Sequence, residues 1–457
     1  MTATEIAAAV ASGRMTARAA IEDCLSRIER LNPVLNAFTA VLTERALAKA
    51  GALDASGATK GPLAGVPFAV KNLIDVAGLT TLAGSKINRD NPPAMADAPL
   101  IVRLEAQGAI LVGALNMGEY AYDFTGENAH DGPSRNPHDT ARMTGGSSGG
   151  SGAAVGGGLV TLALGSDTNG SIRVPASFCG VFGLKPTYGR LTRAGSFPFV
   201  SSLDHLGPLA RTVADLAVTY DAMQGPDPAD PVCAARPADP VSGGLDEGIG
   251  GLRIASAGGY FRAGASPQAL AALDAAAAAL GVTQTVTVPQ AQQARGAAYI
   301  ITAAEGAALH LNRLRTRPDD FDPDVRDRLI AGTLIPAAAV VQAQKFRRWF
   351  QNAMRALFAE YDAILAPATP CVAPTIGQKT FVLDGKDVPL RPNIGIYTQP
   401  FSFIGLPVVA VPVPLAARLP IGVQIVTAPW REDLALRIAR TLEVQGIARA
   451  PSPNHKA

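Results

Sequence analysis

The segment TGGSSGGSG at residues 144–152 constrains the fold more than any other part of the chain. Its composition is typical of a flexible linker, but the apolar run LVTLALGSD at residues 159–167 follows after only a few small residues. Glycine adopts dihedral angles that other residues avoid, and it lets two backbones approach closely. Long irregular segments inside compact domains are usually functional. We therefore predict a packed loop that leads into a small-residue helix and a buried strand.

The rest of the chain alternates between helical and strand-like patterns, which is typical of an α/β fold. Residues 1–50 predict two amphipathic helices, with Thr16 capping the second and Pro33 ending it. A helix followed by a buried strand is predicted over residues 97–115. Residues 225–250 begin with a run rich in proline and aspartate, which indicates a surface linker.

The charges and the metal-binding residue types exclude several classes of protein. The 40 basic and 38 acidic residues give a net charge of +2, and no block of lysine and arginine points to nucleic acid or a membrane surface. The N-terminus lacks the basic start and apolar run of a secretory signal, so we expect a soluble, cytoplasmic protein. The four cysteines and five histidines show neither CxxC nor HxxxH spacing, so we expect no metal and no cofactor.

Lys71 is a candidate general base because it ends the apolar run GVPFAV. A lysine held in a low-dielectric interior has a lowered pKa and can accept a proton near neutral pH. The alternative is that its amine reaches outward to solvent, as most lone lysines do.

The turn in GSDTNGSIRVPAS, residues 165–177, is a candidate oxyanion site. It follows a buried strand, and the backbone amides of Thr168, Asn169, Gly170 and Ser171 can point into one concavity. Donors fixed in this way stabilise an oxyanion without reorganisation. Ser171, at the end of the turn, lies where a nucleophile is needed, although an ordinary turn with a capping serine remains the alternative.

A histidine base for such a serine is hard to find in this sequence. The motif GxSxG formed by Gly145, Ser147 and Gly149 invites comparison with an α/β-hydrolase nucleophile elbow. That motif needs a strand directly before the serine, and RNPHDTARM predicts none. It also needs a late histidine, but His310 is far back and His455 lies in the tail. A desolvated lysine acting through a second hydroxyl can replace the histidine.

The residues quoted above carry a family resemblance. Residues 145–190 resemble the amidase signature family over their whole length, and GVPFAVKNLIDVAG resembles that family's lysine strand. The resemblance implies that Lys71 is the base, Ser147 the cis-configured serine that relays the proton, and Ser171 the nucleophile. The 24-residue separation of the two serines matches the family pattern. Asn169 stands where many members carry glycine, and its side chain can face the acyl pocket.

The resemblance also implies the fold. We expect an α/β amidase-signature fold, with a large mixed sheet sandwiched between helices in one domain over residues 1–457. Residues 60–220 would form the core with the catalytic groups, and residues 251–457 would complete the sheet and the substrate pocket.

The segments NMGEYAYDFTGENAHDGPSRNPHD, SFPFVSSLDHLGPLA and LPIGVQIVTAPW extend the resemblance along nearly the whole chain. They resemble members of the family that act on a small carboxylated ureide of the 1-carboxybiuret type. It implies hydrolysis of a terminal amide C–N bond with release of ammonia. A carboxylate is best bound by an arginine fork. The segment RLRTRPDDFDPDVRDR offers four candidates, Arg313, Arg315, Arg317 and Arg328. Arg315 is the first choice, and the hydroxyls of Tyr120 and Tyr397 are further candidates for substrate binding.

Partners and alternatives follow from the same resemblance. It implies a small helical partner like the C subunit of tRNA-dependent amidotransferases in a heterotetramer, and otherwise a homodimer. One alternative function is the glutaminase subunit of such an amidotransferase. Another is an amidase for biuret, oxalurate or general amides, and a third is a silent scaffold that only holds a partner.

Overall fold

The computed structural model describes residues 1–56, 61–415 and 419–452. The predicted boundaries at residues 60 and 457, and His455, lie outside these ranges. The helices are α1 (Ala3–Ala11), α2 (Ala17–Leu35), α3 (Thr43–Ala55), α4 (Pro99–Ala106), α5 (Gly149–Gly156), α6 (Arg173–Cys179), α7 (Val213–Met223), α8 (Pro267–Ala279), α9 (Ala291–Thr316), α10 (Pro323–Thr333), α11 (Ala337–Glu360), α12 (Gln399–Phe403) and α13 (Glu432–Val444). The strands are β1 (Phe38–Val41), β2 (Pro67–Lys71), β3 (Ile110–Leu115), β4 (Arg135–Asn136), β5 (Asp139–Met143), β6 (Leu162–Ser166), β7 (Phe182–Lys185), β8 (Leu206–Ala210), β9 (Ile254–Ala257), β10 (Thr285–Val286), β11 (Ala363–Pro367), β12 (Thr380–Leu383), β13 (Lys386–Pro389), β14 (Val408–Val413) and β15 (Ile421–Thr427).

Eleven strands of the described chain form one mixed sheet in the order β1-β3-β2-β6-β8-β7-β14-β15-β11-β9-β10. The β3-β2-β6 and β11-β9-β10 groups are parallel, and the remaining neighbours are antiparallel. The central strands are buried along their whole length because helices cover them. The predicted α/β fold with a large mixed sheet between helices is confirmed.

Of the two predictions made for the ends of α2, one is confirmed and one is wrong. Thr16 caps α2, since its side chain accepts a hydrogen bond from the backbone of Ala19. Pro33, predicted to end this helix, lies inside it, because the helix continues to Leu35. A proline in the last turn removes only one intrahelical hydrogen bond, and that turn is largely exposed. The helix ends instead at Leu35, because Asn36, which follows it, adopts a left-handed φ of 48°.

The segment before the glycine-rich loop contains a hairpin that the sequence did not predict. Arg135–Asn136 and Asp139–Met143 pair as antiparallel strands, so the expectation that RNPHDTARM forms no strand is wrong. Its side chains are mostly exposed and polar, which hides the usual alternation of apolar residues. The hairpin forms a two-stranded sheet of its own and does not extend the main sheet. It is therefore not the strand of a nucleophile elbow.

Helix α5 is buried throughout because its residues are small. A methyl group at Gly150 would lie 2.5 Å from the carbonyl oxygens of Ala37 and Asn116, which is closer than atoms can approach. Gly150 also donates its N–H to the Asn116 carbonyl at 3.0 Å. The glycines thus let the loop and the helix pack directly against the carboxyl end of β3, as expected for a packed segment.

One apolar core runs from α1 and α2 to α13 and includes residues of both halves of the chain. The segment 225–250 contains a short 3-10 turn, Ser242–Gly244, and its Asp230 side chain is buried against Arg193. No single helix in the described ranges is both long and apolar enough to cross a membrane. The pair α10 and α11 passes that test of length and composition only when taken together across a 95° bend.

Candidate active site

Lys71 ends β2, and Ser166 ends the neighbouring parallel strand β6. Parallel strands end at the same edge of a sheet, so the two side chains meet there. The Lys71 Nζ atom lies 2.8 Å from the Ser166 hydroxyl and 2.6 Å from the Ser147 hydroxyl. All three side chains are nearly or fully buried. The lysine therefore points into the protein and not to solvent.

Burial lowers the pKa of the Lys71 ammonium from about 10.5 to about 7. The carboxylates of Asp167, Asp204 and Asp123 act in the opposite direction and raise the pKa. Desolvation is the larger effect. A large fraction of the amine is consequently neutral at physiological pH, and a neutral amine can accept a proton from a hydroxyl that it contacts.

Ser147 lies in the loop between β5 and α5, and the peptide bond that joins it to Gly146 is cis. The loop is held by backbone bonds from Gly145 to the Thr125 carbonyl at 3.1 Å and from Gly146 to the Phe124 carbonyl at 2.9 Å. The Ser147 carbonyl accepts a further bond from the Gly118 N–H. The serine is therefore fixed by the segment 118–125 rather than by its own neighbours.

The turn that carries Ser171 is held by a buried ion pair. The Arg173 guanidinium donates two hydrogen bonds to the Asp167 carboxylate, at 2.9 and 3.0 Å, and both side chains are fully buried. Although burial alone would raise the pKa of Asp167, Arg173 holds it well below its usual range. Asp167 also accepts from the backbone N–H of Ile172. Both ends of the turn are thereby fixed.

The turn itself has the properties of an anion site. Within the described chain, the backbone N–H groups of Thr168, Asn169, Gly170 and Ser171 donate no hydrogen bond to another protein atom. Gly170 has a φ of +145°, and a methyl group there would lie 2.2 Å from the Thr398 hydroxyl. A residue with a side chain cannot replace it without displacing Thr398. Ser171 also lies beside the serine loop, because its carbonyl accepts from the Ser148 N–H at 3.3 Å.

Ser171 opens into a narrow cavity whose walls come from both halves of the chain. The polar side chains that line it with Ser171 are Tyr122, Asp123, Thr168, Asn169, Tyr299, Thr302, Arg328 and Gln399. The Arg328 guanidinium stacks 4.0 Å above the Tyr122 ring, and its Nε donates to the Asp324 carbonyl at 2.7 Å. This wall of the cavity therefore carries a positive charge that comes from a helix remote in sequence from the turn.

The sequence-predicted substrate residues do not meet in this cavity. Arg315 is exposed on α9 and does not line it. The Tyr120 hydroxyl is buried and donates to the Asn88 side chain at 3.1 Å, and the Tyr397 hydroxyl donates to the Ala263 carbonyl at 2.6 Å. The cavity is lined instead by Tyr122 and Thr302, which the sequence did not single out, and by Arg328, which it ranked below Arg315. No local signal separates Arg328 from the other arginines of its segment.

The two most deeply buried histidines contact other groups. The Nδ1 atom of His205 lies 2.6 Å from the Leu203 carbonyl, and its Nε2 lies 3.3 Å from Lys185 Nζ. His310 packs against the Tyr120 ring at a centroid distance of 4.0 Å, and burial lowers its pKa to about 3. Neither is hydrogen-bonded to Ser147 or Ser171. In the described ranges no group of three or more His, Cys, Asp and Glu residues is arranged to hold a metal.

Known proteins resemble the chain along nearly all of its length. The model of the amidase family matches residues 19–436. AtzE of Pseudomonas sp. (strain ADP), which is a 1-carboxybiuret hydrolase subunit, is 55% identical over 98% of this chain and 99% of that protein. A glutamyl-tRNA(Gln) amidotransferase subunit of Chloroflexus aurantiacus (strain ATCC 29366 / DSM 635 / J-10-fl) is 37% identical over 96% of this chain and 95% of that protein.

A solved structure gives the same result for the fold. It belongs to an s-triazine catabolic enzyme described with a vestigial protein complex, and it matches with a TM-score of 0.98 at 55% identity, covering 99% of this chain and 100% of that one. Sequence, fold and site therefore agree that the chain belongs to the amidase family and is a serine amidohydrolase of that family.

Proposed function

We propose that this chain hydrolyses the terminal amide of a small carboxylated ureide of the 1-carboxybiuret type and releases ammonia. The observation that carries the chemistry is the 2.6 Å contact between the buried Lys71 amine and the Ser147 hydroxyl, next to a turn of free amides that ends in Ser171. The substrate class is supported by the 55% identical relative, which belongs to a 1-carboxybiuret hydrolase.

In the proposed mechanism, neutral Lys71 accepts the hydroxyl proton of Ser147 while Ser147 accepts that of Ser171. The Ser171 Oγ then attacks the amide carbonyl. Ser166 orients the amine, since an N–H of neutral Lys71 can donate to its hydroxyl while the lone pair faces Ser147. The two serine hydroxyls are not hydrogen-bonded to each other in the free protein, and such contacts often tighten only when substrate binds.

The backbone amides of residues 168–171 would bind the oxyanion of the tetrahedral intermediate. A single preorganised donor of this kind is worth about 3 to 4 kcal/mol of barrier. Ser147 then donates a proton to the leaving nitrogen and regains one from Lys71, so ammonia departs and the amine is neutral again. Water hydrolyses the acyl-enzyme by the same relay and regenerates the Ser171 hydroxyl.

Arg328 is our candidate for the group that binds the substrate carboxylate. It lines the cavity of Ser171, and its guanidinium is held by the Tyr122 ring and by the carbonyls of Tyr122 and Asp324, with no carboxylate bonded to it among the described residues. Arg391, in contrast, is already paired with Asp123, Glu127 and Asp324. An arginine without a carboxylate partner at a buried wall is suited to an anionic ligand.

The second candidate function is a glutaminase that passes ammonia to a partner. It is favoured by the 37% identity to a glutamyl-tRNA(Gln) amidotransferase subunit. The two functions differ in the substrate from which ammonia is released. Ammonia released from a carboxylated ureide without glutamine, ATP or tRNA supports the hydrolase, and release from glutamine alone supports the glutaminase.

We also infer a small helical partner protein. The inference is supported by the relatives, one described with a protein complex and others named as subunits. Apolar side chains on α10, on α11 and in the turn between them are exposed, with Ile330 at 43%, Val341 at 52% and Leu334 at 78%. Light scattering on fully active protein purified from its source should give a mass above that of the 47.0 kDa chain, with a second polypeptide present. Full activity as a 47.0 kDa monomer would argue against a partner.

The pH dependence tests Lys71 as the base. Because its pKa is lowered to about 7, the amine gains its proton as pH falls through 7, and kcat/KM should fall with it. Ser166→Ala removes an acceptor that favours the charged amine, so the midpoint should move to lower pH. The measurement is ammonia release from about pH 5.5 to about pH 9. A flat wild-type profile below pH 7 would contradict the assignment.

Substitution of the two serines tests the relay. Ser171→Ala and Ser147→Ala should each lower kcat by at least about a thousandfold, because the nucleophile or its proton path is lost. Ser151→Ala is the matched control, since that hydroxyl bonds to the Leu164 carbonyl and not to Lys71. A serine-directed phosphonate should label the peptide that contains Ser171. Labelling that persists in Ser171→Ala would overturn its assignment as nucleophile.

Substitution of Arg328 tests carboxylate binding. Arg328→Gln should raise KM for a carboxylated ureide by at least about tenfold, because a charged hydrogen bond is lost. The rate with neutral biuret should change much less. Arg315→Gln, on the exposed face of α9, is the matched control and should leave both substrates unaffected. An equal loss on neutral and carboxylated substrates would show that Arg328 only supports the fold.

A further inference from the structure

We propose that the side chain of Asn169 selects ureides over carbon amides by accepting a hydrogen bond from the N–H group next to the scissile carbonyl. The proposal deepens the proposed function, since it assumes that an amide is cleaved at Ser171. It assigns a role in specificity to a residue whose backbone amide is already part of the candidate oxyanion turn.

The orientation of the Asn169 carboxamide is fixed by helix α9. Its Nδ2 group donates to the Thr302 hydroxyl at 2.8 Å, and both residues are buried. This bond uses the nitrogen end and turns the oxygen end away from Thr302. The Asn169 Oδ1 atom is fully buried and has no hydrogen-bond partner among the described residues.

A buried carbonyl oxygen without a donor is rare, because it loses its bond to water and gains none in return. Such an atom at a substrate cavity is explained when a ligand supplies the donor. Asn169 and Ser171 are two residues apart and line the same cavity. The proposal therefore places the free acceptor beside the position that the acyl group occupies when it is attacked.

The chemistry of the acceptor distinguishes two classes of amide. In a terminal ureide, the carbonyl that is attacked carries an N–H on its acyl side. In a carbon amide such as a glutamine side chain, a CH₂ group stands at that position. Only the N–H can donate to Asn169 Oδ1, and a CH₂ group leaves the buried acceptor unpaired. A site built around a hydrogen bond rejects the analogue that lacks it.

A second buried polar group, the Tyr122 hydroxyl, lies in the same cavity. The Tyr122 hydroxyl is buried, and the phenol of Tyr299, which also lines the cavity, interacts with it. Its ring lies beneath the Arg328 guanidinium. Burial raises the pKa of the Tyr122 phenol, so it stays protonated and can donate to a substrate carbonyl. An acceptor and a donor in one narrow cavity match the alternating N–H and C=O groups of a ureide.

The test uses two ligands of equal length that differ at one atom. N-carbamoyl-β-alanine carries N–H beside its terminal carbonyl, and glutaramate carries CH₂ there. Each is measured with the full-length protein as a competitive inhibitor of ureide hydrolysis and, where it is turned over, by kcat/KM. Comparing each variant with wild type on the same ligand cancels the intrinsic difference in carbonyl reactivity.

Asn169→Ala keeps the backbone amide and removes the acceptor. We expect its affinity for N-carbamoyl-β-alanine to fall at least about tenfold and its affinity for glutaramate to stay within about threefold. Thr302→Val keeps the volume but releases the carboxamide, so it should lower the preference for the ureide by a smaller factor in the same direction. Equal losses on both ligands in Asn169→Ala would overturn the proposal, because they would mean that Asn169 only holds the turn.

The two proposals can fail separately. If wild type releases ammonia and Ser171→Ala does not, the amide hydrolysis stands, and an unchanged ureide preference in Asn169→Ala overturns only the role of Asn169. If wild type cleaves no amide, calorimetric binding of the two ligands to wild type and to Asn169→Ala still decides the selectivity. If wild type then binds N-carbamoyl-β-alanine more tightly than glutaramate and Asn169→Ala does not, the role of Asn169 as an acceptor is supported even though the proposed hydrolysis is not.

Discussion

The buried ion pair between Arg173 and Asp167 is the constraint on which the site depends. Arg173 also donates to the Gln424 side chain at 2.7 Å and to the Thr398 carbonyl at 3.1 Å, so one guanidinium joins the Ser171 turn to the C-terminal part of the sheet. Breaking a buried ion pair by removing one partner costs about 3 to 5 kcal/mol, because an uncompensated charge remains. The oxyanion turn can therefore keep its shape only when residues more than 200 positions away are folded against it.

The same carboxylate links the ion pair to the base. Asp167 compensates Arg173, and its charge also raises the pKa of Lys71, while burial lowers that pKa to about 7. Without the surrounding carboxylates, desolvation alone would lower the pKa further, and the amine would be a weaker base. If more negative charge surrounded Lys71, its amine would stay protonated at neutral pH. The balance of the two effects leaves an amine that can both take and return a proton.

The sequence predicted the local parts of the site better than the long-range ones. Lys71 at a strand end and the turn before Ser171 follow from short patterns, whereas the choice between Arg315 and Arg328 does not. Both arginines lie in one polar segment, and which of them reaches the cavity depends on how α9 and α10 fold back over it. Tyr120 and Tyr122 are two residues apart, but only Tyr122 lines the cavity. The backbone turns at Tyr120, which has a positive φ of 49°. Such a turn at a tyrosine has no sequence signal.

The residues proposed for catalysis and those proposed for substrate binding come from different segments of the chain. Lys71, Ser147 and Ser171 come from the N-terminal strands and the loops that follow them, whereas Thr302 and Arg328 come from helices α9 and α10, which line the cavity. Asn169 belongs to both groups, since its backbone lies in the oxyanion turn and its side chain bonds to α9. A change in α9 or α10 can thus alter which acyl group is bound while the environment of the Lys71 amine stays the same. Asn169 is the point at which such a change would reach the reacting carbonyl.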